Sequence, residues 1–145
     1  MLHILDTDTL IAVVRGLKSA ARRQVRERAL ELVGRCQQAQ REGHGLGISA
    51  ITMCELEFGA RKRGRYDAEM GAVHKILMPF EVHDFCSVAC APHYGAIRYA
   101  LETTASGIGA MDLLIASHVL GLDGILVTNN HDHFRRVAGL RLADW

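Results

Sequence analysis

The sequence predicts an α/β fold, an α/β/α sandwich in outline: a central, mainly parallel twisted sheet of about five short strands with helices on both faces. Two observations carry this. Short apolar runs of strand character, above all His3-Ile4-Leu5 and Ile125-Leu126-Val127, alternate with longer segments of helical periodicity, as parallel sheets with crossover helices require. Both runs are free of formal charge and dominated by apolar side chains, which suits strands buried on two faces, and both end abruptly in polar residues. Asp6 closes the first run and Asn129-Asn130 follows the second, so polar groups gather where parallel strands leave the sheet.

The elements follow in order. After the first strand, Thr9 to Val14 reads as a short helix capped by Asp8 or Thr7 and ended by Gly16. Ser19 to about Glu42 is helical, with Ala21, Val25, Ala29, Leu32, Val33 and Cys36 forming an apolar stripe. Gly43, Gly45 and Gly47 mark a turn into a strand at Leu46 to Ser49. Helices are expected at Thr52–Lys62 and Asp67–Leu77, followed by a brief strand at Pro79–Val82. Helical spacing returns from Ser87 to Thr103, where Pro92 predicts a late start or a kink. Met111 to Leu120 is a strongly apolar helix. After the strand at Ile125 to Thr128 come a short helix through Phe134 and a last strand at Leu140 to Leu142.

With 145 residues, 49% of them hydrophobic, the chain is long enough for one domain over residues 1–145, and no composition break argues for a second. The formal charge of +1 excludes a strongly basic nucleic-acid binder, but the basic residues are clustered. Arg15, Lys18, Arg22, Arg23, Arg26 and Arg28 crowd one segment, and Arg61, Lys62, Arg63 and Arg65 another; each block is either a solvated helix face or a phosphate-attracting rim. Asp6 and Asp8 interrupt what would be the apolar core of a signal peptide, and no apolar run is long enough to span a membrane. The four cysteines form no disulfide framework, so the expectation is a reduced, cytoplasmic protein.

Three acids stand in contexts unlike the rest. Asp6 ends an apolar strand, where a carboxylate needs a compensating partner. Glu55 lies near the start of a helix that follows Ile48-Ser49-Ala50-Ile51-Thr52, and Asp112 opens the apolar helix Leu113-Leu114-Ile115-Ala116. Asn129-Asn130 supplies a fourth polar group from the same side of a parallel sheet. Oxygen donors without a thiolate suit Mg2+ or Mn2+, and such ions activate water for phosphodiester cleavage. Each residue also has a plain structural reading: Asp112 as a helix cap, Glu55 as an ordinary first-turn glutamate, Asn129-Asn130 as a turn.

The wording around these positions adds a resemblance. The segments Leu5-Asp6-Thr7-Asp8-Thr9-Leu10-Ile11, Ile48-Ser49-Ala50-Ile51-Thr52 through Glu55-Leu56, Ile108 to Ala116 and Leu126-Val127-Thr128-Asn129-Asn130 to Phe134 resemble those of the PIN-domain family. Within it they are most similar to VapC-type toxins of bacterial toxin–antitoxin pairs, over essentially the whole chain. The resemblance implies a Mg2+-dependent endoribonuclease, with Mn2+ as an alternative ion, whose acids match Asp6, Glu55 and Asp112. Asp6 and Asp112 would hold the metal, Glu55 would orient or deprotonate water, and Thr7, Ser49 and Asn130 would be supporting or substrate contacts. The family's fourth acidic position falls on Asn130 here, and Asp8 stands where the toxins often carry asparagine; the cap is the favoured role for Asp8. The resemblance further implies an RNA substrate, a homodimer, and a small antitoxin that fills the acidic groove, with Phe58, Leu77 and Phe80 as candidate contacts. Phosphate contacts are expected from Arg15 and from Arg61 to Arg65.

The same residues admit other readings. A catalytically silent PIN domain that only binds protein would not need its three acids intact. The aspartyl-nucleophile motif of haloacid dehalogenase-type phosphatases needs one more residue in Asp6-Thr7-Asp8-Thr9 and a late acid pair that is absent after Val127. Cys86, Cys90 and His93, with His83, have zinc-like spacing, but Cys86 and Cys90 also fall on one helical face with Tyr94, Ile97 and Leu101, as core residues would. His131 and His133, which flank Asp132 near the proposed site, read as exposed turn residues, with a phosphate contact as the alternative.

Overall fold

A computed structural model describes all of residues 1–145. Five strands, β1 (Leu2–Leu5), β2 (Gly45–Ser49), β3 (Glu81–His83), β4 (Ile125–Val127) and β5 (Arg141–Ala143), form one sheet in the order β3-β2-β1-β4-β5. Every neighbouring pair is parallel. The central strand β1 pairs with β2 on one side and β4 on the other, so the order reverses at β1 and a crevice opens beyond its carboxyl end. Seven helices surround the sheet: α1 (Thr7–Gly16), α2 (Arg23–Arg41), α3 (Ala50–Lys62), α4 (Tyr66–Leu77), α5 (Ser87–Thr103), α6 (Ala110–Gly121) and α7 (His131–Phe134). None is long and apolar enough to cross a membrane.

Alternation along β1 divides the core. Ile4 packs with Ile97, Leu101, Ile115, Val119 and Leu126 beneath α5 and α6, while Leu5 faces the other way, toward Cys36 and Ala39 of α2. Ile48 joins a third cluster with Leu10, Leu56, Met70 and Val73, which ties α1, α3 and α4 together. The α1–α2 contact is close enough to demand glycine: a Cβ on Gly16 would lie 2.2 Å from Cβ of Ala29.

Four details correct the expectations. The cap of α1 is Asp6, not Asp8 or Thr7: its Oδ1 accepts the Thr9 N–H at 2.8 Å, and the helix starts at Thr7 without an intervening turn. Asp8 is exposed in the first turn. The long basic helix starts at Arg23 rather than Ser19. Helix α5 runs unbroken from Ser87 past Pro92, whose missing donor would have met the carbonyl of Val88, a residue 85% exposed and open to water. At its start, Cys90 is buried but Cys86 is exposed, so only the second cysteine belongs to the core.

Candidate active site

Four elements deliver polar side chains to the crevice beyond β1. Asp6 stands where β1 passes into α1, Glu55 on the second turn of α3 after β2, Asp112 in the first turn of α6, and Asn130 just after β4. Asp6, Thr7, Asp8, Glu55, Asp112, Asn130 and Phe134 line one small polar cleft. The predicted residues Asp6, Glu55, Asp112, Thr7 and Asn130 are therefore brought together, from positions as far apart as 124 in sequence (130 − 6).

Asp6 is 4% exposed and has no cationic partner; its carboxylate is served by hydrogen bonds alone. Oδ1 accepts from the Thr9 backbone and Oδ2 from the Thr128 hydroxyl, which in turn accepts the Asn130 N–H at 2.9 Å. Burial pushes the Asp6 carboxyl above the usual carboxylate value; the Thr128 and Thr9 hydrogen bonds oppose this, and nearby Asp8 adds to it. Glu55 is oriented by the Thr7 hydroxyl, which donates to Oε1 at 2.6 Å and lies 3.0 Å from Thr52 Oγ1. Asp112 Oδ2 lies 3.4 Å from His133 Nδ1, which Asn130 Nδ2 also meets at 2.9 Å.

Two expected participants lie elsewhere. Ser49 is fully buried, accepts the Ile51 N–H as cap of α3 and lies 2.7 Å from His118 Nδ1, so it serves the scaffold rather than the cleft. Asn129 is exposed, and its Oδ1 accepts from Arg28 at 2.7 Å. Conversely, Thr128 belongs to the site without a motif of its own; its signal is a threonine at the end of an apolar strand beside a predicted site. His133 looked like a turn residue because its contact with Asp112 spans 21 positions.

The donor set fits a hard divalent cation: the carboxylates of Asp6, Glu55 and Asp112, with that of Asp8 beside them, and the Asn130 amide, with neither Asp6 nor Glu55 neutralised by lysine or arginine. As placed, no three acid, imidazole or thiolate groups encircle a single point at ligand distance, so the fit rests on donor chemistry and on the charge left uncompensated.

The model of the PIN domain family matches residues 4–140. The chain belongs to that family. Among curated PIN proteins it is similar to ribonuclease VapC2 of Rickettsia felis, 37% identical over 69% of this chain and 74% of that one. It is similarly 36% identical to the tRNA(fMet)-specific endonuclease VapC of Shigella flexneri, over 68% of this chain and 74% of the relative. In three dimensions the PIN fold here superposes on VapBC2 of Rickettsia felis bound to a promoter DNA fragment with a TM-score of 0.85, at 27% identity, covering 100% of this chain and 99% of that one. DNA-bound VapBC of Salmonella typhimurium gives 0.81 at 31% identity, covering 100% and 99%. These likenesses place the chain in the VapC group of PIN domains.

Proposed function

We propose that this PIN domain is a Mg2+-dependent endoribonuclease, with Mn2+ able to substitute, acting as the toxin of a toxin–antitoxin pair: it cleaves RNA phosphodiester bonds and so inhibits translation and growth. The observation that carries the reading is the meeting of Asp6, Glu55 and Asp112 in one cleft at the switch point of the sheet, with no basic side chain on Asp6 or Glu55. A bound divalent ion would supply Lewis acidity, lowering the pKa of water and offsetting charge on the phosphate. Asp6 and Asp112 are the residues to hold it. Glu55 orients the attacking water and takes its proton at Oε2, because Oε1 is engaged by Thr7. Asn130 presents its amide to a substrate oxygen.

RNA would approach over the basic rim. Arg15 and Arg63 line a groove together with Glu55, so phosphates flanking the scissile bond have cations within reach. The similar solved structures are VapBC assemblies, which supports a small antitoxin partner here and a toxin–antitoxin hetero-oligomer; a homodimer of this chain within it is part of the same reading. An antitoxin arginine entering the cleft would meet uncompensated carboxylates. Of the candidate apolar contacts, Leu77 is buried in the core; Phe58 is 69% exposed, and Phe80 is half-buried in an apolar groove with Leu17, Val33 and Ile76. The reading places the protein in the cytoplasm with its RNA, and its four cysteines are free thiols.

The test is cleavage of folded RNAs by purified protein with Mg2+ or Mn2+, before and after chelation. Asp112→Asn should lower the rate by about 100-fold or more. Undiminished cleavage by that variant would refute the assignment. Wild-type protein that cleaves no RNA but still binds its antitoxin would instead be a silent binding module.

A further inference from the structure

We propose that Ser49 and His118 form a buried strut that fixes α3 against α6 and thereby sets the spacing of Glu55 and Asp112 across the cleft. Both are positioning residues, remote from the reacting atoms. The inference rests on the endoribonuclease reading above and deepens it.

The contact is directional and fully buried. Ser49 Oγ lies 2.7 Å from His118 Nδ1, and both residues are 0% exposed. Ser49 ends β2 and caps α3, where its Oγ accepts the Ile51 N–H at 3.0 Å. Its hydroxyl proton is left to donate to His118 Nδ1, which puts the ring proton on Nε2. That second nitrogen is buried near the Asp84 backbone, yet it makes no hydrogen bond of ordinary geometry. Phe85 packs against the ring, with centroids 5.3 Å apart. One nitrogen is satisfied and the other is not, so the polar atoms of the ring add little net stability. What histidine supplies here, and an apolar side chain of similar size cannot, is a fixed direction from α6 to the cap of α3.

The place of the strut gives that direction a use. Ser49 precedes Glu55 by six residues and His118 follows Asp112 by six, about 9 Å along a helix axis in each case. Glu55 is held to α1 through Thr7, while Asp112 meets only the His133 ring on α7. No other side-chain hydrogen bond joins α3 or its cap to α6. Apolar packing, as of Ile51 against the cluster that contains Leu113, Ile115 and Ala116, holds the two helices together but tolerates sliding. A hydrogen bond weakens steeply once its angle departs far from linear, so it fixes register as well as approach. A slip at the strut is carried along both helices to the two carboxylates.

The experiment compares the intact wild-type protein with His118→Leu, His118→Gln and His118→Asn. Asparagine places an amide oxygen at the depth of Nδ1 and can accept from Ser49, whereas glutamine reaches to Nε2 and leucine offers no acceptor. Tm is read by circular dichroism, Mn2+ affinity by calorimetry, and kcat and KM on an RNA that wild type cleaves. In the Leu and Gln variants Tm should stay within about 3 °C of wild type. Their Mn2+ affinity should fall about 10-fold. Their kcat should fall about 10-fold or more with KM within about twofold, and His118→Asn should restore both quantities. Ser49→Ala combined with His118→Leu should cost no more in kcat than the more damaging single change, as expected of one shared contact. Wild-type kcat or Mn2+ affinity in His118→Leu overturns the strut and leaves the endoribonuclease reading standing. So does a loss that asparagine fails to restore or that tracks a fall in Tm. Wild type that neither binds Mn2+ nor cleaves RNA overturns both.

Discussion

Asp6→Asn should separate the two demands on the most buried acid of the cleft. The substitution keeps the shape, and asparagine is as good an N-cap as aspartate, so the bond from the Thr9 N–H survives. What changes is the charge and the acceptor for the Thr128 hydroxyl. Rearranging that bond costs about 1 kcal/mol. Against this stands a carboxylate with 4% exposure and no cation, whose effective burial penalty is of the order of several kcal/mol before its hydrogen bonds are counted. A net gain of about 1–2 kcal/mol is expected, or a rise in Tm of about 3–6 °C for a domain of this size. The assay is thermal unfolding at pH 7 without divalent ions. Burial raises the folded-state pKa of Asp6, so wild type is free of the penalty below the unfolded value of about 4 and carries it as pH rises through the folded value. The advantage of Asn should therefore fade as pH is lowered through that window, and added Mg2+ should stabilise wild type only. A variant less stable than wild type at pH 7, or an advantage unchanged at pH 4, would refute the argument that Asp6 is held ionised at a cost to the fold.

Three further outcomes follow from the same contacts. Thr7→Val removes the donor to Glu55 Oε1 in a near-isosteric side chain; RNA cleavage should fall about 10- to 100-fold with the fold retained, and an unchanged rate would remove Thr7 from the machinery. Gly16→Ala places a methyl 2.2 Å from Cβ of Ala29 and 2.5 Å from the carbonyl oxygen of Val25, so denaturant titration should show a loss of about 1–3 kcal/mol. Burial holds His118 and His3 below the usual imidazole value, so the unfolded chain takes up protons first on acidification. In Asp6→Asn, where the opposing contribution of Asp6 is gone, Tm should be flat above about pH 6.5 and fall as the pH drops toward 5. Adding His118→Gln should remove part of that slope, and a Tm of Asp6→Asn that rises on acidification would contradict it.

Much of this site is written in local sequence. The strands β1 and β4 are legible because a parallel strand buried on two faces leaves no place for a charge, so Asp6 and Asn130 announce where each strand ends. Asp112 is legible as an acid opening a helix after a glycine break, and Glu55 as an acid early in a helix that follows a strand. What escaped is set by three-dimensional context. The cap of α1 fell to Asp6 rather than Asp8 because the chain turns directly from strand into helix, leaving no loop residue between them. Cys86 and Cys90 have one helical period, yet the first lies at the open end of α5 and only the second packs, with its Sγ 2.6 Å from where a Cβ on Gly121 would stand. Ser49 carries the family wording, but its hydroxyl turns toward His118 of α6. No periodicity in one chain specifies which side of a strand end a hydroxyl will serve.

The hydrogen bonds of the cleft show how acids can be positioned without being neutralised. A carboxylate offers about four lone-pair directions, and each acid here spends only part of that capacity on the protein. Asp6 accepts from one amide and one hydroxyl, Glu55 from one hydroxyl, and Asp112 meets only the His133 ring. Lys18 and Arg63, by contrast, are both engaged by Glu69, and Arg28 is tied to Glu31 and Asn129. Cations are thus kept on the rim and matched to other acids, while the cleft acids are fixed by neutral donors that set direction but leave charge. Replacing any of those hydroxyls by a lysine or arginine would hold the same carboxylates more tightly and would remove the uncompensated charge that a divalent ion needs. The threonines at positions 7 and 128 are therefore as much a part of the site as the acids they orient.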